Sequence, residues 1–141
     1  MAIGSVVLTP GSAYDVPGAI DLSGEDFALS EWTARTALAI AAQAPVAPLL
    51  LVLTGEAAAL APHLGFAQRS ARRTVGGYVL VDPVLPKPGA VSDWPDAPVG
   101  VVITPGANSD ARSAALGARL RGWEVRDGDP STLIREIAAV P

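Results

Sequence analysis

The stretch from Pro48 to Pro62, PLLLVLTGEAAALAP, constrains the fold of this chain more than any other segment. It begins with a short, wholly apolar run, which is typical of a parallel strand buried on both faces. Thr54 and Gly55 then form a turn, and an alanine-rich helix is predicted from Gly55 to about residue 73, kinked at Pro62. A strand that turns directly into a helix exposes its turn residue at the sheet edge, beside the free N–H groups of the helix start. We therefore expect a ligand site near Gly55.

The rest of the chain alternates between strand and helix patterns. Further strands are predicted over residues 5–9, 77–82, 99–104 and 123–126, and further helices over residues 30–43, 109–121 and 130–140. Leu116 and Leu120 are expected to face inward from the third of the four helices. Residues 83–98 carry five prolines, so this crossover should contain no helix. The sequence predicts an α/β fold of three layers, with a mainly parallel five-stranded sheet and flanking helices, over a single domain spanning residues 1–141.

Composition excludes several classes of function. The chain has 141 residues, no cysteine, one histidine and a formal net charge of −4. Thiol chemistry and cysteine-ligated metals are excluded, a metal site is not expected on one histidine, and the few basic residues argue against nucleic-acid binding. The longest apolar run is too short to cross a membrane, and no signal peptide is read. We expect a cytoplasmic protein without a cofactor.

Several segments, taken in order, resemble the α/β-hydrolase family. Leu53-Thr54-Gly55-Glu56-Ala57 stands where the family has its G-x-S-x-G nucleophile elbow, and Thr9-Pro10-Gly11-Ser12 stands where it has its oxyanion loop. The segments Asp15-Val16-Pro17-Gly18, GYVLVDP at residues 77–83 and WPDAP at residues 94–98 are similar to other family segments. The resemblance implies a truncated family member that lacks the first strands and the cap domain.

The departures from the family determine the expected function. Gly55 stands at the nucleophile position, and the family's histidine, expected near residues 127–129, is missing. The chain should therefore not be a serine hydrolase of the Ser-His-Asp type. We expect a pseudoenzyme that binds a small acyl or carbonyl compound at the empty elbow. The resemblance also leaves open a non-covalent enzyme of a biosynthetic pathway, such as a cyclase, isomerase or epimerase, using one acid or base and backbone oxyanion donors.

The candidate site residues each have a structural alternative. Glu56, Asp82 and His63 are the candidate acids and bases. Glu56 is either a partly buried base or an exposed acid at a helix start, Asp82 either meets a ligand at a strand end or caps the following turn, and His63 is either a catalyst or a surface residue. The expected ligand-binding residues are Pro10, Gly11, Ser12, Tyr14, Thr54 and Gly55. The absent strands and cap should leave an edge and an apolar face open, which predicts a homodimer.

Overall fold

The computed structural model describes residues 2–141, in which six strands alternate with four α-helices. The elements are, in chain order, β1 (Ser5–Leu8), β2 (Ile20–Asp21), α1 (Leu29–Ala42), β3 (Leu49–Thr54), a 3₁₀ segment (Gly55–Leu60), α2 (Ala61–Ser70), β4 (Val75–Val81), β5 (Val99–Ile103), α3 (Ser109–Leu120), β6 (Glu124–Asp127) and α4 (Pro130–Ala138). No helix in the described part of the chain is long and apolar enough to cross a membrane.

The six strands form one sheet in the order β2-β1-β3-β4-β5-β6, and every neighbouring pair is parallel. The α/β class with a parallel sheet is confirmed, but the predicted count of five strands is wrong. The additional strand is β2, where Ile20 pairs with Val7 and the Leu22 N–H donates to the Leu8 carbonyl. Two residues are too few to show an alternating pattern, so β2 could not be recognised from sequence periodicity.

The two faces of the sheet are covered unequally. On the first face, α1, α2 and α3 pack over a large apolar cluster, together with side chains from residues 83–98. On the second face, α4 and residues 14–19 pack over a smaller cluster built on alternate strand residues such as Leu50, Val79 and Val102. Residues 83–98 join the parallel neighbours β4 and β5 without a helix, as their prolines predict.

The segment after β3 differs from the single kinked helix that the sequence predicted. Gly55–Leu60 is 3₁₀-helical, and α2 begins anew at Ala61 with Pro62 in its first turn. A proline in the first turn of a helix sacrifices no backbone hydrogen bond, because that N–H would have no partner within the helix. Pro62 therefore starts α2 and does not kink it.

The inward face of α3 also differs from the expectation. Leu116 and Leu120 are 61% and 81% exposed, whereas Ala111, Ala115 and Ala118 are buried. A face of small residues allows a helix to approach the sheet closely, and α3 packs against the sheet through its alanines and not through its leucines. Both stripes have helical spacing, so periodicity alone does not decide between them.

Candidate site at the carboxyl ends of the strands

Four neighbouring strands bring polar side chains to one edge of the sheet. Thr9 directly follows β1, Thr54 ends β3, Asp82 directly follows β4 and Thr104 directly follows β5. Because the strands are parallel, their carboxyl ends lie at the same edge. β2 follows β1 in the chain and pairs on one side of it, whereas β3 pairs on its other side. The connections therefore leave the carboxyl ends of β1 and β3 in opposite directions, and a topological switch point lies between these two strands. Open α/β sheets bind ligands in the crevice outside such a point.

Four hydroxyl groups meet at this switch point, and we call Thr9, Ser12, Tyr14 and Thr54 the hydroxyl cluster. Thr54 Oγ1 lies 2.8 Å from Ser12 Oγ and 2.9 Å from Tyr14 Oη. The Thr9 and Ser12 hydroxyls both donate to the Val52 carbonyl, at 2.6 Å and 3.2 Å. Thr9 and Ser12 are fully buried, whereas Thr54 and Tyr14 are half-buried. The outer hydroxyls of Thr54 and Tyr14 are thus held in place by an inner pair anchored on β3.

Gly55 opens the space beside this cluster. Its φ is +62°, in the left-handed region that glycine adopts without a steric penalty. A Cβ atom built on Gly55 would meet no atom within 4 Å. The strand-to-helix turn at Gly55 is therefore confirmed, with Gly55 half-buried beside open space. The Gly55 carbonyl accepts a hydrogen bond of 3.0 Å from Val84 N, which brings the half-exposed Val84 next to the turn.

The loop after β1 contributes side chains to the site, but its amides are occupied. The Ser12 N–H donates to the Thr9 carbonyl at 2.9 Å, and the Gly11 N–H donates to the Ser23 carbonyl at 3.4 Å. Pro10 is buried at the turn and has no N–H to donate. The expected ligand contacts of Pro10 and Gly11 through backbone donors are therefore not available in this loop conformation, and the hydroxyls of Ser12 and Tyr14 remain.

Asp82 is held rigidly at the end of β4. Its carboxylate accepts hydrogen bonds from Thr104 N at 2.9 Å and from Thr104 Oγ1 at 2.6 Å. The backbone of Asp82 has a φ of +43°, a conformation that aspartate tolerates better than most residues. Asp82 thus links the ends of β4 and β5, a role that differs from the cap of the proline-rich turn, which was one of its two alternatives; the other, a ligand contact at a strand end, stays a prediction.

The electrostatics of the site keep the Tyr14 phenol protonated. Burial raises the pKa of Tyr14, and the negative charge of Asp82 raises it further, while the hydrogen bond to Thr54 opposes them. Tyr14 is therefore a neutral hydroxyl that can donate a hydrogen bond, and Asp82 lies close enough to influence it.

Two of the candidate acids and bases stand apart from the hydroxyl cluster. Glu56 is exposed in the first turn of the 3₁₀ segment, and His63 is exposed on α2. Among the described residues, no side-chain hydrogen bond joins either of them to the cluster. The exposure of Glu56 agrees with the alternative of an acid at a helix start. No group of three His, Asp or Glu side chains in the described residues could hold a metal ion.

Two members of the site were missed by the sequence reasoning, Thr9 and Thr104. Each directly follows an apolar strand, as Asp82 does. A rule that selects the first polar residue after every buried strand would have found both. Two half-open pockets lie elsewhere: one of about 220 Å³ lies beside Trp94 and Trp123, and another of about 480 Å³ lies at the opposite, amino-terminal edge. We assign the site from its converging polar groups, because open α/β sheets bind at the carboxyl edge.

Comparisons with known proteins gave no match: no protein-family model, no curated protein and no solved structure is similar to the chain.

Proposed function

We propose that this chain is a catalytically degenerate α/β-hydrolase-like protein that binds a small acyl or carbonyl compound beside Gly55. The observation that carries the proposal is the convergence of Tyr14 and Thr54 next to an open glycine at the switch point of the sheet. The proposed binding position is the space that a nucleophile would occupy in a hydrolase.

Because the Ser12 hydroxyl donates to Val52, Thr54 donates to Ser12 and the Tyr14 hydroxyl donates to Thr54 in the free protein. The ligand carbonyl would accept this hydrogen bond from Tyr14 in place of Thr54. The raised pKa of Tyr14 keeps this donor protonated over the neutral range. In the free protein the Tyr14 hydroxyl lies 2.9 Å from Thr54 Oγ1, which positions the phenol. The half-exposed side chain of Val84 offers an apolar contact to the body of the ligand. Each neutral hydrogen bond of this kind contributes about 0.5–1.5 kcal/mol.

Binding without a covalent intermediate follows from the groups that are present. Gly55 has no side chain to attack a carbonyl, and the single histidine, His63, is exposed on α2. The buried Ser12 hydroxyl is engaged with Val52 and Thr54, so it has no general base beside it to activate it.

The test is a titration with matched small molecules, followed by two-dimensional NMR. Short methyl ketones and methyl esters should shift the amides of residues 54–56 and 82–84, and alkanes of equal size should not. Tyr14→Phe should weaken ketone binding by roughly fivefold to tenfold, which corresponds to the loss of one hydrogen bond. Thr54→Val, which removes the hydrogen-bond partner of Tyr14, should also weaken ketone binding; Thr33→Val, which removes a hydroxyl from α1, is its matched control. Unchanged binding in Tyr14→Phe, or labelling by an active-site serine probe, would contradict the proposal.

A non-covalent acid–base enzyme is the second candidate, because Asp82 lies at the same edge of the sheet as Tyr14 and its charge contributes to raising the pKa of Tyr14. Such a pair could remove a proton next to a carbonyl while Tyr14 stabilises the developing enolate. Proton exchange at the α-carbon of a bound ketone in D₂O distinguishes the two functions. Exchange that depends on protein and disappears in Asp82→Asn indicates the enzyme. Binding without exchange indicates the pseudoenzyme.

A further inference from the structure

The second face of the sheet contains a cavity at the amino-terminal ends of β4 and β5, far along the strands from the hydroxyl cluster. Its volume is about 480 Å³, and the apolar residues lining it include Ile3, Leu50, Ile137 and Val140. This volume lies within the range of small-molecule pockets, about 300–1,000 Å³. It is independent of the site proposed above, because it shares no residue with it.

Two glycines create this cavity. Gly77 and Gly100 occupy the second face in register with Val79, Val81 and Val102, which pack there as large side chains. A Cβ atom on Gly77 would lie 3.0 Å from Leu50 Cδ1, so Leu50 leans over that glycine. A Cβ atom on Gly100 would have Ile137 Cδ1, at 4.0 Å, as its nearest neighbour. The space above Gly100 is thus bounded by α4 on one side, and Gly100 itself contributes no side chain to fill it.

The coverage of the sheet explains why the hollow is not filled by the chain itself. The crossovers from β3 to β4, from β4 to β5 and from β5 to β6 all pack on the first face, and α4 is the helix that packs on the second. A parallel sheet is normally covered on both faces. The amino-terminal part of the second face therefore remains accessible above Gly100, next to Leu50, which covers Gly77.

The charges around the cavity indicate the kind of ligand. The two charged side chains that line it, Asp96 and Glu124, are both carboxylates. Asp96 accepts a hydrogen bond of 2.6 Å from Tyr78, with Arg69 3.7 Å away. The side chain of Glu124 is 73% exposed at the rim and lies 3.8 Å from Arg126, which also binds Glu136 at 3.1 Å. Asp96 is thus paired with Arg69 on the first face, where Tyr78 packs, and adds no free charge to the rim. The two carboxylates Glu124 and Glu136 share the single guanidinium of Arg126, so an amine would be attracted to the Glu124 end of the rim.

We infer that the cavity above Gly77 and Gly100 is a second ligand site, which takes a small molecule with an apolar body and an amine head. The apolar body lies on Leu50 and Ile137, and the ammonium group lies at the rim near Glu124. The ligand is defined by its charge and its shape, and its binding does not depend on the function of the carboxyl edge.

The test compares two probes with the same body and opposite charges, 1-naphthylmethylamine and 1-naphthaleneacetate. Binding is followed by naphthalene fluorescence, and the site is mapped by two-dimensional NMR. The amine should perturb the amides of Gly77, Gly100 and Ile137, and it should bind roughly tenfold more tightly than the acetate. Glu124→Gln should reduce that difference, and Tyr14→Phe should leave both affinities unchanged.

Gly100→Val fills the cavity and should weaken amine binding by at least roughly tenfold. Gly24→Val is the control, since that glycine is exposed away from the cavity and a Cβ atom on it meets nothing within 4 Å. The thermal unfolding midpoint is measured for each variant, and Gly100→Ala replaces the valine variant if that variant does not fold. The inference is overturned if Gly100 substitutions leave amine binding intact or if the acetate binds as tightly. It is also overturned if light scattering shows a dimer and this dimer does not bind the amine.

Discussion

The close approach of Gly65 in α2 to Tyr78 in β4 provides the sharpest test of the packing. The phenolic oxygen of Tyr78 occupies the position that a Cβ atom on Gly65 would take, and the ring carbon Cζ lies 3.0 Å from that position. Tyr78 is 1% exposed, its ring packs edge-on against Trp94 at 5.3 Å, and its hydroxyl donates to Asp96 at 2.6 Å. Gly65→Ala must therefore displace a side chain that is fixed on three sides.

The expected cost follows from three contributions. Overpacking a core typically costs about 1–3 kcal/mol. Breaking the hydrogen bond from Tyr78 to a carboxylate costs about 1.5–3 kcal/mol. Alanine gains about 1 kcal/mol over glycine in a helix interior. We expect Gly65→Ala to lower the free energy of unfolding by roughly 3 kcal/mol, although helix propensity by itself would make the change stabilising.

Urea unfolding measures this cost, with tryptophan fluorescence as the probe because Trp94 packs against Tyr78. Gly117→Ala is the matched control. It also lies inside a helix, but the atom that its Cβ would meet, Leu85 Cδ1 at 3.0 Å, is the end of a flexible side chain. We expect this control to change stability by less than about 1 kcal/mol.

A double-mutant cycle isolates the steric conflict. Tyr78→Phe removes the hydroxyl, so adding Gly65→Ala to that variant should cost about 1–3 kcal/mol less than it costs in the wild type. Additive effects of the two substitutions would refute the reasoning. A Gly65→Ala variant as stable as the Gly117→Ala control would refute it as well.

Three further predictions concern ionisation and local hydrogen bonds. Burial raises the pKa of both tyrosines, Tyr14 and Tyr78, so their folded-state pKa values exceed the unfolded value near 10. Their contribution to stability is complete below that pH and is lost as the pH rises above it. Ultraviolet absorbance should therefore show that both phenols of the folded protein ionise at a higher pH than free tyrosine does, and ionisation of both at the pKa of free tyrosine would contradict this. Asp82→Asn should lower the free energy of unfolding by about 1–3 kcal/mol, because the bonds from Thr104 lose their charged acceptor; urea unfolding checks this, and an unchanged midpoint would speak against it. Asn108→Ala should cost about 1 kcal/mol by removing the side-chain cap of α3, and a loss of helicity by circular dichroism should accompany it, whereas an unaltered melting curve would disagree.

The sequence by itself determined the features that rest on local chemistry. The apolar run before Thr54 predicted a buried parallel strand, and the strain of a strand-to-helix turn explained Gly55. Prolines excluded a helix between β4 and β5, and the last helix, predicted to begin at residue 130, does begin at Pro130, with the Asp129 side chain as its cap. These predictions succeeded because backbone preferences and hydrophobic periods act over a few residues.

Only the tertiary structure decided which distant residues meet. Tyr14 and Thr54 are separated by 40 residues, and Asp82 and Thr104 by 22, yet each pair is joined by a hydrogen bond. Their convergence depends on the strand order, which no local pattern encodes. The same holds for β2, which exists through its pairing with β1, and for the open second face above Gly100, which depends on the side taken by each crossover. The hydrophobic period of a segment indicates where its apolar residues lie, but the arrangement of the strands decides what those residues and their polar neighbours contact.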